Sequence, residues 1–353
     1  MVAILESPST FETVPPEVLS WLLEIVSSVT DFTNRYILGA VIILGFGGNI
    51  LSIIVFWRCR RKDQVTVTYL APLAVADLAT LFYGAFSWIV SGILEKTNGF
   101  FFFTEAVFSV GPQVICKAFR YQHRVCSCIS SYLIVMFSCE RCLGVWFPLK
   151  VHILMTKRRR LILMGLMVTS VLLTNIPILV YFQVHFWANT MSIVCFFDVP
   201  EFTNLEKYLL TEVSYNTVPH SLPCFLILVL NILIIAGVRS ARRQMAGKAV
   251  MNKADSSSLI SLLLVSLLYI ITTLPYIIVW GISGYYGYLG GGSVGFSTEE
   301  TQVLLMLGFF TTSFLMINYS FNFLIYARSL KIFQEELKSM FEKNPMCRQR
   351  TSR

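Results

Sequence analysis

Long apolar segments alternate with short polar ones along most of the chain. Residues 36–57 and 161–185 contain no Asp, Glu, Lys or Arg at all. Five further apolar segments lie at about 65–94, 125–139, 213–238, 259–280 and 301–327. A helix rises about 1.5 Å per residue, so about 20 residues cross a hydrocarbon core about 30 Å thick. The pattern therefore predicts seven membrane-spanning helices.

The composition agrees with a membrane protein. The chain is 55% hydrophobic and only 14% charged, with a mean hydropathy of +0.67, whereas about a quarter of the residues of a soluble domain are charged. The predicted fold class is an all-α membrane protein with a seven-transmembrane helix bundle over residues 35–327. We expect an extracellular amino-terminal arm over residues 1–34, and a cytoplasmic amphipathic helix with a tail over residues 328–353.

The basic residues predict the orientation. Of the 28 Lys and Arg residues, 22 lie after the first, third, fifth or seventh span. Basic residues accumulate in cytoplasmic loops, so the carboxyl terminus is expected inside and the amino terminus outside. This pattern of apolar spans and basic loops predicts a multi-pass protein of the plasma membrane, in contact with membrane lipid. The net charge of +8 follows from this topology and gives no reason to expect nucleic acid as a partner.

One face of the third span carries polar residues at helical spacing. Steps of four and three back from Arg141 give Phe137, Ile134, Ser130, Ser127, His123, Arg120 and Cys116. Residues so spaced share a helical face, which is interpreted as an axial lining from an outer cavity to the inner pair Glu140 and Arg141. Charges at that depth of a membrane indicate a functional site. The alternative is that Arg120, Arg124 and Lys117 extend to the outer headgroups.

Two of the nine cysteines lie at predicted outer positions. Cys116 begins the third span, and Cys195 lies in the loop between the fourth and fifth spans. Because the extracellular side is oxidising, a disulfide between them would hold that loop over the mouth of the bundle. A pair of free thiols is the alternative.

Short motifs follow one another in a specific order along the spans. They are Gly48-Asn49, Leu73-Ala74-Val75-Ala76-Asp77-Leu78, Glu140-Arg141-Cys142 located 25 residues after Cys116, Pro148, the span prolines Pro177, Pro223 and Pro275, and Asn322-Phe323-Leu324-Ile325-Tyr326. Together they resemble the rhodopsin-like (class A) family of G-protein-coupled receptors, from about residue 36 to residue 341. The chain departs from that family at Cys142, Thr273 and Phe323, where a tyrosine, a tryptophan and a proline are usual.

The resemblance implies roles for two groups of residues. Glu140 and Arg141 would form an ionic lock that opens when Arg141 meets a heterotrimeric G protein. The activation and sodium pocket would comprise Asn49, Asp77, Ser130, Asn318, Asn322 and Tyr326. A sodium ion at Asp77 and Ser130 is the one cofactor implied. Hydrogen bonding that only holds the helices together is the alternative for this group.

The ligand class follows partly by exclusion. An aminergic receptor of this family has an aspartate 18 residues before the motif arginine, where this chain has His123, and an opsin has a lysine where this chain has Met316. Residues 67–70, 147–150 and 322–323 resemble neuropeptide receptors of the FMRFamide type. The expected ligand pocket comprises Arg120, His123, Arg124, Gln183, Tyr276, Trp280 and Thr312.

Several alternatives remain at this point. A receptor for a lipid mediator or an orphan receptor of the same fold fits the basic pocket, and a transporter or channel is a further alternative. Seven spans without an inverted repeat argue against a transporter. No catalytic triad, metal-ligand cluster or phosphate loop appears in the sequence, so an enzyme is not expected.

Overall fold

The computed structural model describes residues 16–59, 64–88, 112–187, 192–197, 202–244, 253–288 and 298–341. The α-helices are α1 (Pro16–Phe32), α2 (Leu38–Cys59), α3 (Gln64–Trp88), α4 (Pro112–Trp146), α5 (Pro148–Leu154), α6 (Lys157–Thr174), α7 (Ile176–Tyr181), α8 (Asn204–Glu212), α9 (Leu222–Gln244), α10 (Lys253–Tyr288), α11 (Thr298–Ser329) and α12 (Lys331–Phe341). Two π-helices are also present, π1 (Thr33–Ile37) and π2 (Val213–Ser221).

The predicted spans are helices of the bundle. Six helical segments are long and apolar enough to cross a membrane: Ser20–Cys59, Val65–Phe86, Cys116–Trp146, Lys157–Tyr181, Asn216–Ala241 and Ser256–Tyr285. The seventh span corresponds to α11, which has 32 residues and carries Asn318 and Asn322 among its apolar side chains. The prediction of an all-α bundle with seven spans is confirmed.

The described residues also contain one small sheet. Strands β1 (Phe182–Trp187) and β2 (Ser192–Phe197) pair antiparallel, with Gln183 opposite Phe196 and Val184 opposite Cys195. The hairpin follows the fourth span and precedes the fifth, so it lies at the predicted outer mouth of the bundle.

Helical structure begins well before the predicted start of the first span. Helices α1, π1 and α2 follow one another without a break and have 17, 5 and 22 residues. About 20 residues suffice to cross the hydrocarbon core, so this continuous run is about twice the required length. Part of the segment predicted as an arm is therefore a helical extension of the first span.

Proline residues shape the fourth, fifth and sixth spans. Pro177 lies in the first turn of α7, and the fourth span is divided between α6 and α7 at Asn175. Proline lacks a backbone N–H and clashes with the preceding turn, which explains the division. Pro219 lies within π2, and Pro275 lies inside α10.

The largest apolar core lies in the inner half of the bundle. Phe56, Tyr69, Phe137, Tyr326 and Phe333 are all buried there. The Phe56 ring contacts the Tyr326 ring at 5.4 Å and the Phe333 ring at 5.3 Å, both edge-on. Because Phe333 belongs to α12, these contacts anchor the short helix after the seventh span against the first span.

Candidate functional site

The polar face of the third span lies against the second and seventh spans. Ser130 Oγ donates to Asp77 Oδ1 at 2.5 Å, and Ser127 Oγ lies 2.6 Å from the hydroxyl of Tyr319. Both serines are buried. The face predicted from the spacing therefore runs along the inside of the bundle.

At the inner end of this face, Glu140 is held by two other helices. The Nε atom of Arg160 donates to both carboxylate oxygens, at 2.9 and 3.0 Å, and the Tyr69 hydroxyl donates to Oε2 at 2.7 Å. Glu140 is 4% exposed and Arg160 is 9% exposed. The ion pair of Glu140 thus joins the third span to the fourth, and sequence reasoning assigned neither Arg160 nor Tyr69 to a functional site.

Arg141 is directed towards the second and sixth spans. Its Nη2 donates to Thr66 Oγ1 at 2.9 Å, and its guanidinium lies 4.9 Å from the centre of the Phe137 ring. Thr66 Oγ1 in turn lies 3.1 Å from Ser258 Oγ on α10. A continuous polar chain therefore connects the inner ends of three spans through Thr66. The described contacts give Glu140 and Arg141 different partners. The ionic lock predicted between these two residues therefore stays a prediction.

The polar residues at mid-depth are only partly brought together. Asp77 is fully buried and accepts a hydrogen bond from Ser130 and another from Asn322 Nδ2, the latter at 2.8 Å. Asn49 instead donates to the carbonyls of Gly45 and Tyr319, at 2.9 and 2.8 Å.

Two other predicted members of this group are buried with open hydrogen-bonding atoms. Asn318 has no partner for either side-chain polar atom among the described residues, and the Tyr326 hydroxyl likewise has none there. The available oxygen atoms are a carboxylate, a hydroxyl and an amide carbonyl, which suit a hard cation such as sodium. Across the described residues, no group of three or more His, Cys, Asp or Glu side chains is placed to hold a metal ion.

The outer pocket is built around a buried arginine. Arg124 is 5% exposed, and its Nη1 lies 3.1 Å from Nε2 of His220 on π2. The His220 ring packs edge-on against Tyr276 at 4.8 Å. This burial excludes the alternative in which Arg124 extends to the outer headgroups.

Four more of the predicted pocket residues occupy two places near this centre. Trp280 lies 6.1 Å from the Tyr276 ring, and its Nε1 donates to Thr312 Oγ1 at 3.4 Å. Arg120 and His123 instead lie beside Tyr83, with the Arg120 guanidinium 5.8 Å and the His123 ring 4.3 Å from its centre.

The seventh predicted pocket residue, Gln183, lies in β1, and its side chain is outside the described part of the structure. His220 is a member that sequence reasoning missed. A histidine three residues before the span proline Pro223 was its only signal.

The described cysteines differ in disulfide bonding. Cys116 is buried and disulfide-bonded, whereas the described part of the chain shows no disulfide for Cys59, Cys126, Cys128, Cys139, Cys142 and Cys224. The Cys195 side chain is outside the described residues, so its pairing with Cys116 stays a prediction.

Comparison with known proteins decides the family. The family model described as 7 transmembrane receptor (rhodopsin family) matches residues 48–326 of the chain. The chain belongs to this family. This assignment favours a multi-pass membrane receptor over the transporter or channel alternative.

The names of individual relatives indicate different kinds of ligand. The chain is 29% identical to the Leukotriene B4 receptor 1 of Bos taurus over 59% of its own length. It is 31% identical to the Gastrin/cholecystokinin type B receptor of Rattus norvegicus over 42% of its length, and 27% identical to the Neuropeptide S receptor of Mus musculus over 37%. The matched segments span 54%, 31% and 32% of those receptors.

Proposed function

We propose that the chain is a cell-surface receptor for a neuropeptide that activates an intracellular heterotrimeric G protein. In this proposal the amino terminus is extracellular, and the pocket around Arg124 opens to that side. The observation that carries the proposal is the buried pair of Arg124 and His220, flanked by aromatic side chains.

The hydrogen bonding of this pair indicates what kind of group it binds. A guanidinium can only donate, so Nε2 of His220 accepts from Arg124 and the imidazole proton lies on Nδ1. That Nδ1 atom is buried and has no hydrogen-bond partner among the described residues. A donor without an acceptor is costly in a buried site, and a carboxylate or carbonyl oxygen of a ligand would satisfy it.

The walls of the pocket suit the side chains of a peptide. Tyr276 and Trp280 offer aromatic surface, and Thr312 and the indole of Trp280 offer hydrogen bonds. Two of the named relatives are receptors for peptides, gastrin or cholecystokinin and neuropeptide S. The leukotriene B4 receptor supports the alternative of a lipid mediator, whose carboxylate would occupy the same arginine.

Two further features belong to the same proposal. A disulfide from Cys116 to Cys195 would hold the hairpin over the pocket. Asp77, Ser130 and the open amide oxygen of Asn318 would hold a sodium ion and stabilise the resting arrangement of the second, third and seventh spans.

A ligand screen tests the proposal. Cells expressing the chain are exposed to a library of neuropeptides and, separately, to a library of acidic lipids, with calcium and cyclic-nucleotide readouts. We expect a peptide response that is lost in Arg124→Ala. A response to lipids alone would replace the peptide proposal with the lipid alternative.

Lys117→Ala is the matched control, because Lys117 lies on the same helix and donates to the Val180 carbonyl at the outer end of the span. We expect its response to a peptide to equal that of the unaltered receptor. An unchanged concentration dependence in Arg124→Ala would contradict the pocket.

A further inference from the structure

A half-buried carboxylate lies where the outer ends of the fifth and sixth spans meet. Glu212 is the last residue of α8, and its Oε2 accepts a hydrogen bond from Asn216 Nδ2 at 2.9 Å. A Cβ placed on Gly284 of α10 would lie 3.5 Å from Oε2, and one on Gly281 would lie 3.9 Å from Oε1. The two helices therefore approach closely at this carboxylate, and the glycines place no side chain against it.

Aromatic rings lie beside the same carboxylate. Tyr208 precedes Glu212 by one helical turn on α8, so the two side chains share a face. Its ring atom Cε2 would lie 3.7 Å from a Cβ on Gly284, and its ring packs edge-on against Tyr285 at 6.4 Å. A carboxylate with aromatic rings nearby is a favourable environment for a cation.

Glu212 differs from the ion-paired carboxylates of the bundle. Glu140 and Glu336 each have an arginine partner, at 2.9 and 2.7 Å. Within the described ranges Glu212 has no cationic partner, only the amide of Asn216. In the sequence of the remaining predicted outer segments, residues 1–15, 89–111, 188–191, 198–201 and 289–297, Lys96 is the only basic residue.

A second atom at this place is also open. Asn216 is 3% exposed, and its Oδ1 has no hydrogen-bond partner among the described residues. It lies in π2, and π-helical segments are frequent at functional sites. The open carbonyl of a buried amide beside a carboxylate would accept hydrogen bonds from a cationic donor.

Charge changes sign along this side of the fifth span. Glu212 and Asn216 lie at its outer end, and His220 lies one turn further in, against Arg124. Glu212 directly precedes π2 (Val213–Ser221) and His220 lies near its end, so the acidic and the basic groups lie at different depths of the same span. A ligand that reaches both would carry a cationic group in addition to an anionic or carbonyl group.

We propose that Glu212, Asn216 and Tyr208 form a binding site for the cationic group of the ligand, a guanidinium or an ammonium. This inference rests on the proposed function, since the ligand would place its anionic or carbonyl group on Arg124. It narrows the ligand class to peptides that carry a basic side chain or amino group in addition to the carboxylate or carbonyl group bound at Arg124.

Two small probes test the site without the natural ligand. N-acetyl-arginine amide carries the guanidinium, and N-acetyl-citrulline amide is its neutral counterpart of the same shape. Their binding to the purified full chain in lipid nanodiscs is measured by saturation-transfer nuclear magnetic resonance. The variants are Glu212→Gln, which removes the charge, and Glu206→Gln, an exposed carboxylate on the same helix whose capping role glutamine preserves.

We expect the arginine probe to bind the unaltered receptor more tightly than the citrulline probe. Glu212→Gln should weaken that binding about fivefold or more, as for a partly buried ion pair with an aromatic contact, and Glu206→Gln should leave it unchanged. Equal binding of both probes, equal binding to Glu212→Gln, or no binding up to about 10 mM would overturn the site, because a fragment of this size that fits binds below that concentration.

One outcome would show that Lys96 of the chain itself occupies the site at Glu212. If the arginine probe binds only after Lys96→Gln, the carboxylate is already paired within the chain, and the proposal is wrong. The probes need no contact with Arg124, so their failure leaves the peptide screen standing. Conversely, probe binding at Glu212 with no response to any peptide would contradict the proposed function alone.

Discussion

Removal of the Arg160 side-chain charge tests the inner ion pair. In Arg160→Met, Glu140 keeps the hydrogen bond from Tyr69 at 2.7 Å but loses the guanidinium at 2.9 and 3.0 Å. Loss of one member of a buried pair costs about 3–5 kcal/mol, because the other charge stays buried without compensation. Arg160 lies near the predicted inner membrane surface, where water reaches the site, so we expect about 3 kcal/mol.

The converse substitution should cost less. In Glu140→Gln the amide oxygen still accepts from Tyr69, and the long side chain of Arg160 can extend towards the inner headgroups. We expect a loss of about 1 kcal/mol, the typical value for one hydrogen bond. In the double variant no charge is left buried, so its loss should be about 1–2 kcal/mol smaller than the sum of the two single losses.

The assay is unfolding of the purified receptor in mixed micelles, followed by tryptophan fluorescence as the denaturing detergent is increased. Arg158→Met is the matched control, because Arg158 lies on the same helix but is exposed. It should change the free energy of unfolding by less than about 0.5 kcal/mol. Strictly additive losses in the double variant, or a loss in Arg158→Met equal to that in Arg160→Met, would refute the reasoning.

Three further predictions follow from single contacts. Ser258→Ala removes one hydrogen bond, worth about 1 kcal/mol, from the polar chain that reaches Arg141. If this chain holds Arg141 in its resting position, nucleotide exchange on a G protein without ligand should rise about fivefold, and an unchanged rate would contradict that role of the chain. Sodium should raise the unfolding temperature of the unaltered receptor but not that of Asp77→Asn, and equal shifts would exclude the proposed ion site. Gly48→Ala places a Cβ 2.8 Å from the side chain of Phe323 and should destabilise the receptor by about 1–3 kcal/mol. In the control Gly47→Ala the new Cβ meets no atom within 4 Å and should not destabilise the receptor. Similar unfolding curves for the two variants would contradict this packing of the first span against the seventh.

The spans were predictable from the sequence because the membrane imposes their length. Residues 36–57 and 161–185 stand out by their lack of charge. The first segment lies within a helical span, and the second does so up to Tyr181, after which residues 182–185 belong to strand β1. The beginning of the first helix was not predictable in this way. Helix α1 carries Glu17, Glu24 and Asp31, so the absence of charge that marks the spans does not extend to it.

The partners of the functional side chains were not predictable. Arg160 is one of four consecutive basic residues at the start of the fourth span, and positive-inside topology accounts for all four. Only its burial and its rotation towards Glu140 set it apart. These depend on how the third and fourth spans pack, which periodicity within one helix does not determine.

The same reason applies to the ligand pocket. The spacing of Arg120, His123 and Arg124 placed basic residues at the outer end of the third span. Arg124 lies against His220, whereas the other two lie against Tyr83. The partner of Arg124 lies on π2, a segment whose wider turn alters which residues face the bundle and which has no recognised sequence signal.

The most direct test of the receptor function is nucleotide exchange on a purified heterotrimeric G protein by the full chain in lipid nanodiscs. A peptide from the screen that carries both a basic and an acidic or amidated end should accelerate exchange, and Arg141→Ala should abolish the acceleration while the peptide still binds. Acceleration that is equal in Arg141→Ala, or peptide binding that never changes the exchange rate of the unaltered receptor, would contradict the account.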